Sequence, residues 1–220
     1  MRIAVITPSL GSVNIEWAFR FATIASNTNA QLFMFTSKHF RIDEARNRAV
    51  LEALKLNPTH VLFWDGDVIP FTYGPNQEPV LNPKVIEIML NWRYPVVSAY
   101  YYTSKLLPNT FIYDEKEDTY KPYEIPYERA IEFVDAVGLG FCLVDARIFR
   151  MIEPPWFEYK CEYEKTENGL KITEVSEDIT FCDKLRKLGF KVMVLRRIFC
   201  KHIHNAYIVG KDKFELVRTR

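Results

Sequence analysis

Two aspartates one residue apart, Asp65 and Asp67, close the apolar run Val61-Leu62-Phe63-Trp64. Carboxylates that close repel each other unless something positive lies between them, and a hard divalent cation with oxygen ligands is the natural partner. Gly66 lets a ligand approach the backbone between them. Asp and Gly also build ordinary turns, so the tripeptide alone reads equally as a turn or a metal site. Three other groups have types suited to chemistry. Glu177-Asp178 opens a helical pattern, where acids complement the helix dipole or serve as a general base. His202-x-His204 follows the last apolar run, and alternate strand residues share a face. Arg46-Asn47, with Arg48 beside it, lies near a helix start that welcomes an anion. Each has a structural reading too: a capping acid, a satisfied histidine, a solvent-facing arginine.

The elements that must position these groups alternate early in the chain. Ile3–Thr7 is rich in β-branched residues and reads as a buried strand. Ile15, Ala18, Phe19, Ala22 and Ala25 recur at helical spacing after Asn14, a suitable N-cap. Gln31–Thr36 reads as a strand, and Ile42 to Leu54 as a helix stopped by Pro58. The run at 61–64 then completes β-α-β-α-β, which predicts an α/β fold whose mostly parallel sheet is flanked by helices on both faces. Asp65 and Asp67 fall at a strand's carboxyl end, where such sheets bind ligands.

Beyond Asp67 the residues Ile69 to Pro75 read as irregular. Asn82-Pro83 predicts a helix start, Pro95–Tyr101 a strand, and 107–127 an edge hairpin. Ile131–Val137 and Phe141–Asp145 read as strands joined by Gly138-Leu139-Gly140, followed by a short helix over 147–152. Asn168-Gly169 marks a second hairpin. Ser176 caps a helix with Phe181, Cys182, Leu185 and Leu188 inward, and Gly189 ends it before a strand over 190–195.

The 220 residues, 48% of them hydrophobic, suffice for one substantial core without disulfides or structural metal. A formal net charge of +1 gives no global pull toward nucleic acid or an anionic membrane. Cys142, Cys161, Cys182 and Cys200 form no CxxC pair and read as buried thiols of a reducing compartment. The N-terminal apolar run is short, reading as a strand and not as a signal peptide. No stretch approaches the roughly 18–20 apolar residues of a membrane span. These features together predict a soluble, cytoplasmic chain.

The order of the groups is more specific than any one of them. ITPS at 6–9, DEARNRAV at 43–50, THVLFWDGDVIP at 59–70, PVVSAYYYTSK at 95–105, VGLGFCLVDARIF at 137–149, SEDITFCDKLRKLGFKV at 176–192 and CKHIH at 200–204 together resemble the GT-A fold glycosyltransferases, in particular the family 2-like enzymes of microbes and viruses. The resemblance implies a single GT-A domain with a small antiparallel portion. Its nucleotide-sugar half would span 1–105, its acceptor and catalytic half 106–204, and its tail 205–220. It implies a UDP- or GDP-sugar donor, a hydroxyl acceptor on a saccharide, protein or lipid, and Mn²⁺ or Mg²⁺. Thr7 and Pro8 would edge the nucleobase pocket, and Arg46 and Asn47 would sit beside the nucleotide. Asp65 would touch the ribose or the metal-bound phosphate, with Gly66 leaving room for the donor. Asp67 would ligate the cation, joined by His202 or His204 as a further ligand. Gly138 and Gly140 would lie against donor sugar and acceptor. Asp178 would deprotonate the acceptor, giving inversion, with Glu177 beside it. Tyr100, Tyr101, Tyr102, Trp156 and Tyr159 are candidates for sugar stacking.

Two rival readings share some of these residues. A haloacid dehalogenase-like phosphatase also has DxD after a strand, with the first aspartate, here Asp65, as nucleophile; Asp178 and Asp183 would imitate its late acids. That motif normally follows the first strand, and here two βα units precede it. A non-catalytic sugar-binding protein of GT-A type is the second rival. A sugar-nucleotide pyrophosphorylase would need a glycine-rich basic loop, and Ser9-Leu10-Gly11-Ser12 is poor in both.

Overall fold

The computed structural model describes residues 1–9, 12–38, 41–74, 78–103, 106–166, 169–203, 207–208 and 214–215. In chain order the elements are β1 (Arg2–Ser9), α1 (Ile15–Ala25), β2 (Gln31–Lys38), α2 (Ile42–Leu54), β3 (His60–Trp64), β4 (Val68–Tyr73), β5 (Pro79–Val80), α3 (Val85–Asn91) and β6 (Val96–Tyr101). Next come β7 (Thr110–Asp114), β8 (Thr119–Pro122), β9 (Ile131–Val134), β10 (Ala136–Val137), β11 (Phe141–Asp145) and α4 (Ile148–Met151). The last are β12 (Lys160–Thr166), β13 (Gly169–Val175), α5 (Glu177–Lys187), β14 (Val192–His202), β15 (Tyr207–Ile208) and β16 (Phe214–Glu215).

A nine-stranded sheet in the order β2-β1-β3-β11-β6-β14-β4-β5, with β9 also on β14, forms the centre. The strands β1, β2, β3, β6 and β14 share one direction, and β11, β4 and β9 oppose it. The result is a mixed α/β fold whose large sheet is mostly parallel in strand direction. Antiparallel pieces flank it: β10-β7-β8 and the ribbon β12-β13. The turn of that ribbon at Asn168 lies outside the described residues.

Strand alternation sorts the core into two layers. Ile3, Val5, Leu62 and Trp64 face Trp17 and Ile24 of α1 and Val85, Ile86 and Met89 of α3. Ala4, Ile6, Val61 and Phe63 face α2, α4 and α5 through Val50, Phe149 and Phe181. Strand β3 is thus buried on both faces, as its unbroken apolar run requires.

Several elements differ from the sequence reading. Asn14 does cap α1, its Oδ1 accepting from the Glu16 N–H at 2.7 Å. The inward face, however, is Trp17, Arg20 and Ile24, while Ile15 and Phe19 are 73% and 70% exposed. Trp17 stacks on Phe21 and meets Trp64 edge-on at 5.2 Å, so large aromatic area decides the face. Residues 69–73 form strand β4 despite Pro70. β5 pairs only with Thr72 and Tyr73, so the missing N–H breaks no bond on that side. Helix α3 begins at Val85, after Asn82 Oδ1 accepts from the Lys84 N–H in a turn. Asp135 splits 131–137 into β9 and β10, which join different sheets. Strand β14 runs on to His202 through a register shift. Leu188 is 47% exposed. All four cysteines are free thiols, but Cys161 is exposed; burial pushes Cys142 up to about 12.

Arg20 is a buried cation on α1. Its Nε donates to the Pro70 carbonyl at 3.1 Å and its Nη2 to that of Asn82 at 2.5 Å, tying α1 to β4 and to the approach of α3. Burial lowers its pKa to about 10, so it stays charged at neutral pH. Phe181 is fully buried and stacks on Phe149 with ring planes 14° apart. Phe181→Ala should therefore cost about 3–5 kcal/mol, read as a lower urea midpoint at unchanged slope.

Candidate functional site

Thr7, Asp65 and Tyr101 stand at the carboxyl ends of β1, β3 and β6, and His202 ends β14. These strands share a direction, so the four positions meet at one edge of the sheet. Asp65 leaves β3 into a tight turn. Its N–H donates to the Gly140 carbonyl at 2.9 Å, and its carbonyl accepts from the Val68 N–H at 3.1 Å. Below the turn the Trp64 indole donates to the Val68 carbonyl at 2.8 Å. Asp65-Gly66-Asp67 is therefore a turn, set at the sheet edge. A methyl group at Gly66 would press on Val13 Cγ1 at 3.1 Å.

Asp65 is held by Arg46. Arg46 Nη2 donates to both Asp65 oxygens at 3.1 Å, and its Nη1 donates to Glu177 Oε1. The arginine is 2% exposed, a fully inward residue of α2 and not a solvent-facing one. Burial opposes its charge, but Asp65, Glu177 and Asp178 outweigh burial and raise its pKa. The two acids feel the converse. Burial raises Asp65 against the pull of Arg46, and burial raises Glu177 in the same way. Glu177 also accepts from the Tyr159 hydroxyl.

Asp67 is turned the other way, with its side chain 30% exposed and its Oδ2 at 3.3 Å from His202 Nε2. The Ile203 N–H donates to the Asp67 carbonyl at 2.8 Å, which fixes β14 against the turn. Burial lowers the His202 pKa, but the Asp67 bond and charge outweigh it and the net shift is upward. One carboxylate and one imidazole converge here. Mg²⁺ and Mn²⁺ sites of nucleotide enzymes complete such small donor sets with water and phosphate oxygens, so the residues fit that cation. Among the described residues no three or more His, Cys, Asp or Glu side chains gather at one metal position. His204 lies outside the described residues.

The glycine loop closes over Tyr101. Its hydroxyl accepts from the Gly140 N–H at 2.9 Å and lies 2.8 Å from where a Gly138 Cβ would be and 2.6 Å from a Gly140 Cβ. Its ring stacks on His202 at 6.3 Å between centroids. Asp178 approaches from the far side. Its Oδ1 accepts from Ser176 Oγ and from the Ile179 N–H, while Oδ2 lies 3.5 Å from the Gly138 Cβ position. The paired acids at the start of α5 thus diverge: Glu177 faces Arg46, and Asp178 faces the glycine loop.

Other expected residues serve the scaffold. Asn47 Nδ2 donates to the carbonyls of Asp43 and Phe157, and its Oδ1 accepts from the N–H groups of Trp156 and Phe157. Its side chain pins the 156–157 backbone. Thr7 is fully buried between the site and the core, and Pro8 is half-buried beyond it. Tyr100, Tyr101 and Trp156 are buried and cannot stack on a sugar; Tyr102 is half-buried and Tyr159 exposed. The supporting role of Tyr101 had one sequence signal: a tyrosine in a fully buried strand must find a polar partner. Lys201, buried and paired with Glu16 at 2.8 Å, carried none.

No known family model matches this chain, and no curated protein does. Among solved structures it is similar to A197 from STIV, with a TM-score of 0.63 at 19% identity, covering 100% of this chain and 96% of that one. That likeness shows the fold. Two further neighbours are a UDP-glucose pyrophosphorylase complexed with UDP-glucose, at TM-score 0.49 and 9% identity over 91% of this chain and 92% of that one, and an apo UDP-glucose pyrophosphorylase, at 0.43 and 8% over 91% and 74%.

Two stability measurements check this geometry. Arg46→Ala leaves two inward carboxylates without their cation and should cost about 3–5 kcal/mol. Gly140→Ala should cost about 1–3 kcal/mol by overpacking against Tyr101. In a Tyr101→Phe background that penalty should shrink by about 1 kcal/mol, the signature of a direct contact in a double-mutant cycle.

Proposed function

We propose that this chain is a metal-dependent glycosyltransferase of GT-A type, moving a sugar from a nucleotide diphosphate to a hydroxyl acceptor. The observation that carries the reading is the Arg46 bridge. It ties Asp65 of the DxD turn to Glu177 of the late acid pair, 112 positions apart in sequence. With that bridge closed, Asp67, the glycine loop and Asp178 border the same sheet edge.

Each residue then has a task. Asp67 and His202 hold Mn²⁺ or Mg²⁺, which when bound supplies positive charge against the leaving diphosphate. Asp65, fixed by Arg46, orients the ribose or the phosphate side of the donor. Gly138 and Gly140 leave room for the sugar to lie against the backbone. Asp178 Oδ2 takes the proton of the acceptor hydroxyl, while Oδ1 is held by Ser176 and the Ile179 N–H. Attack on the face opposite the diphosphate gives inversion. Glu177 is a positioning residue, acting through Arg46.

The test is nucleotide release from a panel of UDP- and GDP-sugars, in Mn²⁺ and in chelator. Release should require the metal and an acceptor. Asp67→Ala should lose metal-dependent donor binding. Asp178→Asn should keep donor binding and lose transfer by about 10²–10⁴-fold. Transfer by Asp178→Asn at the wild-type rate would remove the base assignment. Absence of both release and metal-dependent nucleotide binding with every donor would sink the reading as a whole.

A further inference from the structure

Strand β14 is flanked on one side by β6 along both of its halves. On the other side β9 pairs with Val192–Leu195 and β4 with Ile198–His202. Arg196 and Arg197 fall in the gap between β9 and β4, where the register with β6 shifts. A cavity of about 510 Å³ opens in this gap, lined by Tyr73 and Gly74 at the end of β4, the segment 127–130 before β9, and both arginines. That volume lies within the range of small-ligand sites, roughly 300–1,000 Å³.

The cavity is basic and its central cation is pre-positioned. The Arg196 guanidinium lies 4.8 Å from the Tyr100 ring centre and 5.0 Å from that of Tyr127. Its Nε donates to the Ile125 carbonyl at 3.1 Å, it bonds the Tyr73 hydroxyl, and its N–H donates to the Ala130 carbonyl. None of these partners carries a charge at neutral pH. Among the described residues no carboxylate is ion-paired with Arg196 or Arg197. Arg129, also lining the cavity, is paired with Glu132, and Glu128 is the one acidic residue in the lining. A guanidinium has five donors in a fork that matches a phosphate. Two adjacent arginines can share the oxygens of one dianion.

We propose that this gap binds the phosphate group of a phosphomonoester, at a site separate from the DxD turn. Arg197 stands five residues from His202 along β14, roughly 16 Å at about 3.3 Å per residue. The site thus lies several residues along β14 from the proposed cation position and needs no metal.

The test uses the full chain, ¹⁵N-labelled, in EDTA at constant ionic strength, titrated with inorganic phosphate and with glucose 6-phosphate. Saturable shifts are expected at the amides of Gly74, Ala130 and Arg197, with glucose 6-phosphate binding at least as tightly as phosphate. Arg197 is exposed, so Arg197→Glu and Arg197→Ala should fold normally, and Arg197→Glu should weaken binding at least tenfold. Shifts that never saturate, shifts confined to residues 65–67, or wild-type affinity in both variants would each overturn the proposal. The assay contains neither metal nor donor, so its failure is independent of any failure of glycosyl transfer.

Discussion

One buried cation conditions the rest of this site. Arg46 is withdrawn from water and surrounded by acids from two distant segments. A charge in such a place is tolerated only when paired and hydrogen-bonded. The pairing works in both directions: the acids keep Arg46 ionised, and Arg46 lets Glu177 be buried beside the partly exposed Asp65. Because Asp65 is committed to Arg46, the neighbouring Asp67 is left to face outward. The DxD turn therefore delivers two carboxylates with different duties, one bound to the protein and one turned to the solvent side with His202.

A second constraint is steric. The Gly138–Gly140 loop, Tyr101 and His202 form a stack in which no Cβ can be added to either glycine without meeting the Tyr101 hydroxyl. Neither the glycine loop nor Tyr101 is charged, yet together they set how near a ligand can come to the backbone at the sheet edge. Asp178 reaches the same loop from α5 through its unshared oxygen. Electrostatics thus places the acids, and packing places the opening between them.

Much of this was legible in the residues, and what was not has physical causes. Local signals carried β3, α2 and α5, because an unbroken apolar run, a 3.6-residue repeat and a glycine with φ of +83° at Gly189 each act within a few positions. The face of α1 was misjudged because small apolar residues outnumber the few large ones that pack, and area outweighs number. Pro70 disguised β4 because its tolerance depends on which side of the strand has a partner, a tertiary fact. The pairing of β14 with β6, β4 and β9 spans up to 134 residues and leaves no local mark. The divergence of Glu177 from Asp178 follows from Arg46, more than a hundred positions away. Asn47 shows the same limit: its amide has the chemistry of a ligand contact, and the chain's own backbone at Trp156 and Phe157 uses it instead.

The placement of β14 has a consequence for the making of the protein. This strand, Val192–His202, fills the sheet between β6 and β4, yet it follows both of them in the chain by at least 90 residues. Until it arrives, β6 and β4 present open edges, and such edges invite pairing with other chains. The nascent polypeptide must carry two unfinished half-sheets until that strand is made. Slow translation between β6 and β14 prolongs the time for which those edges wait.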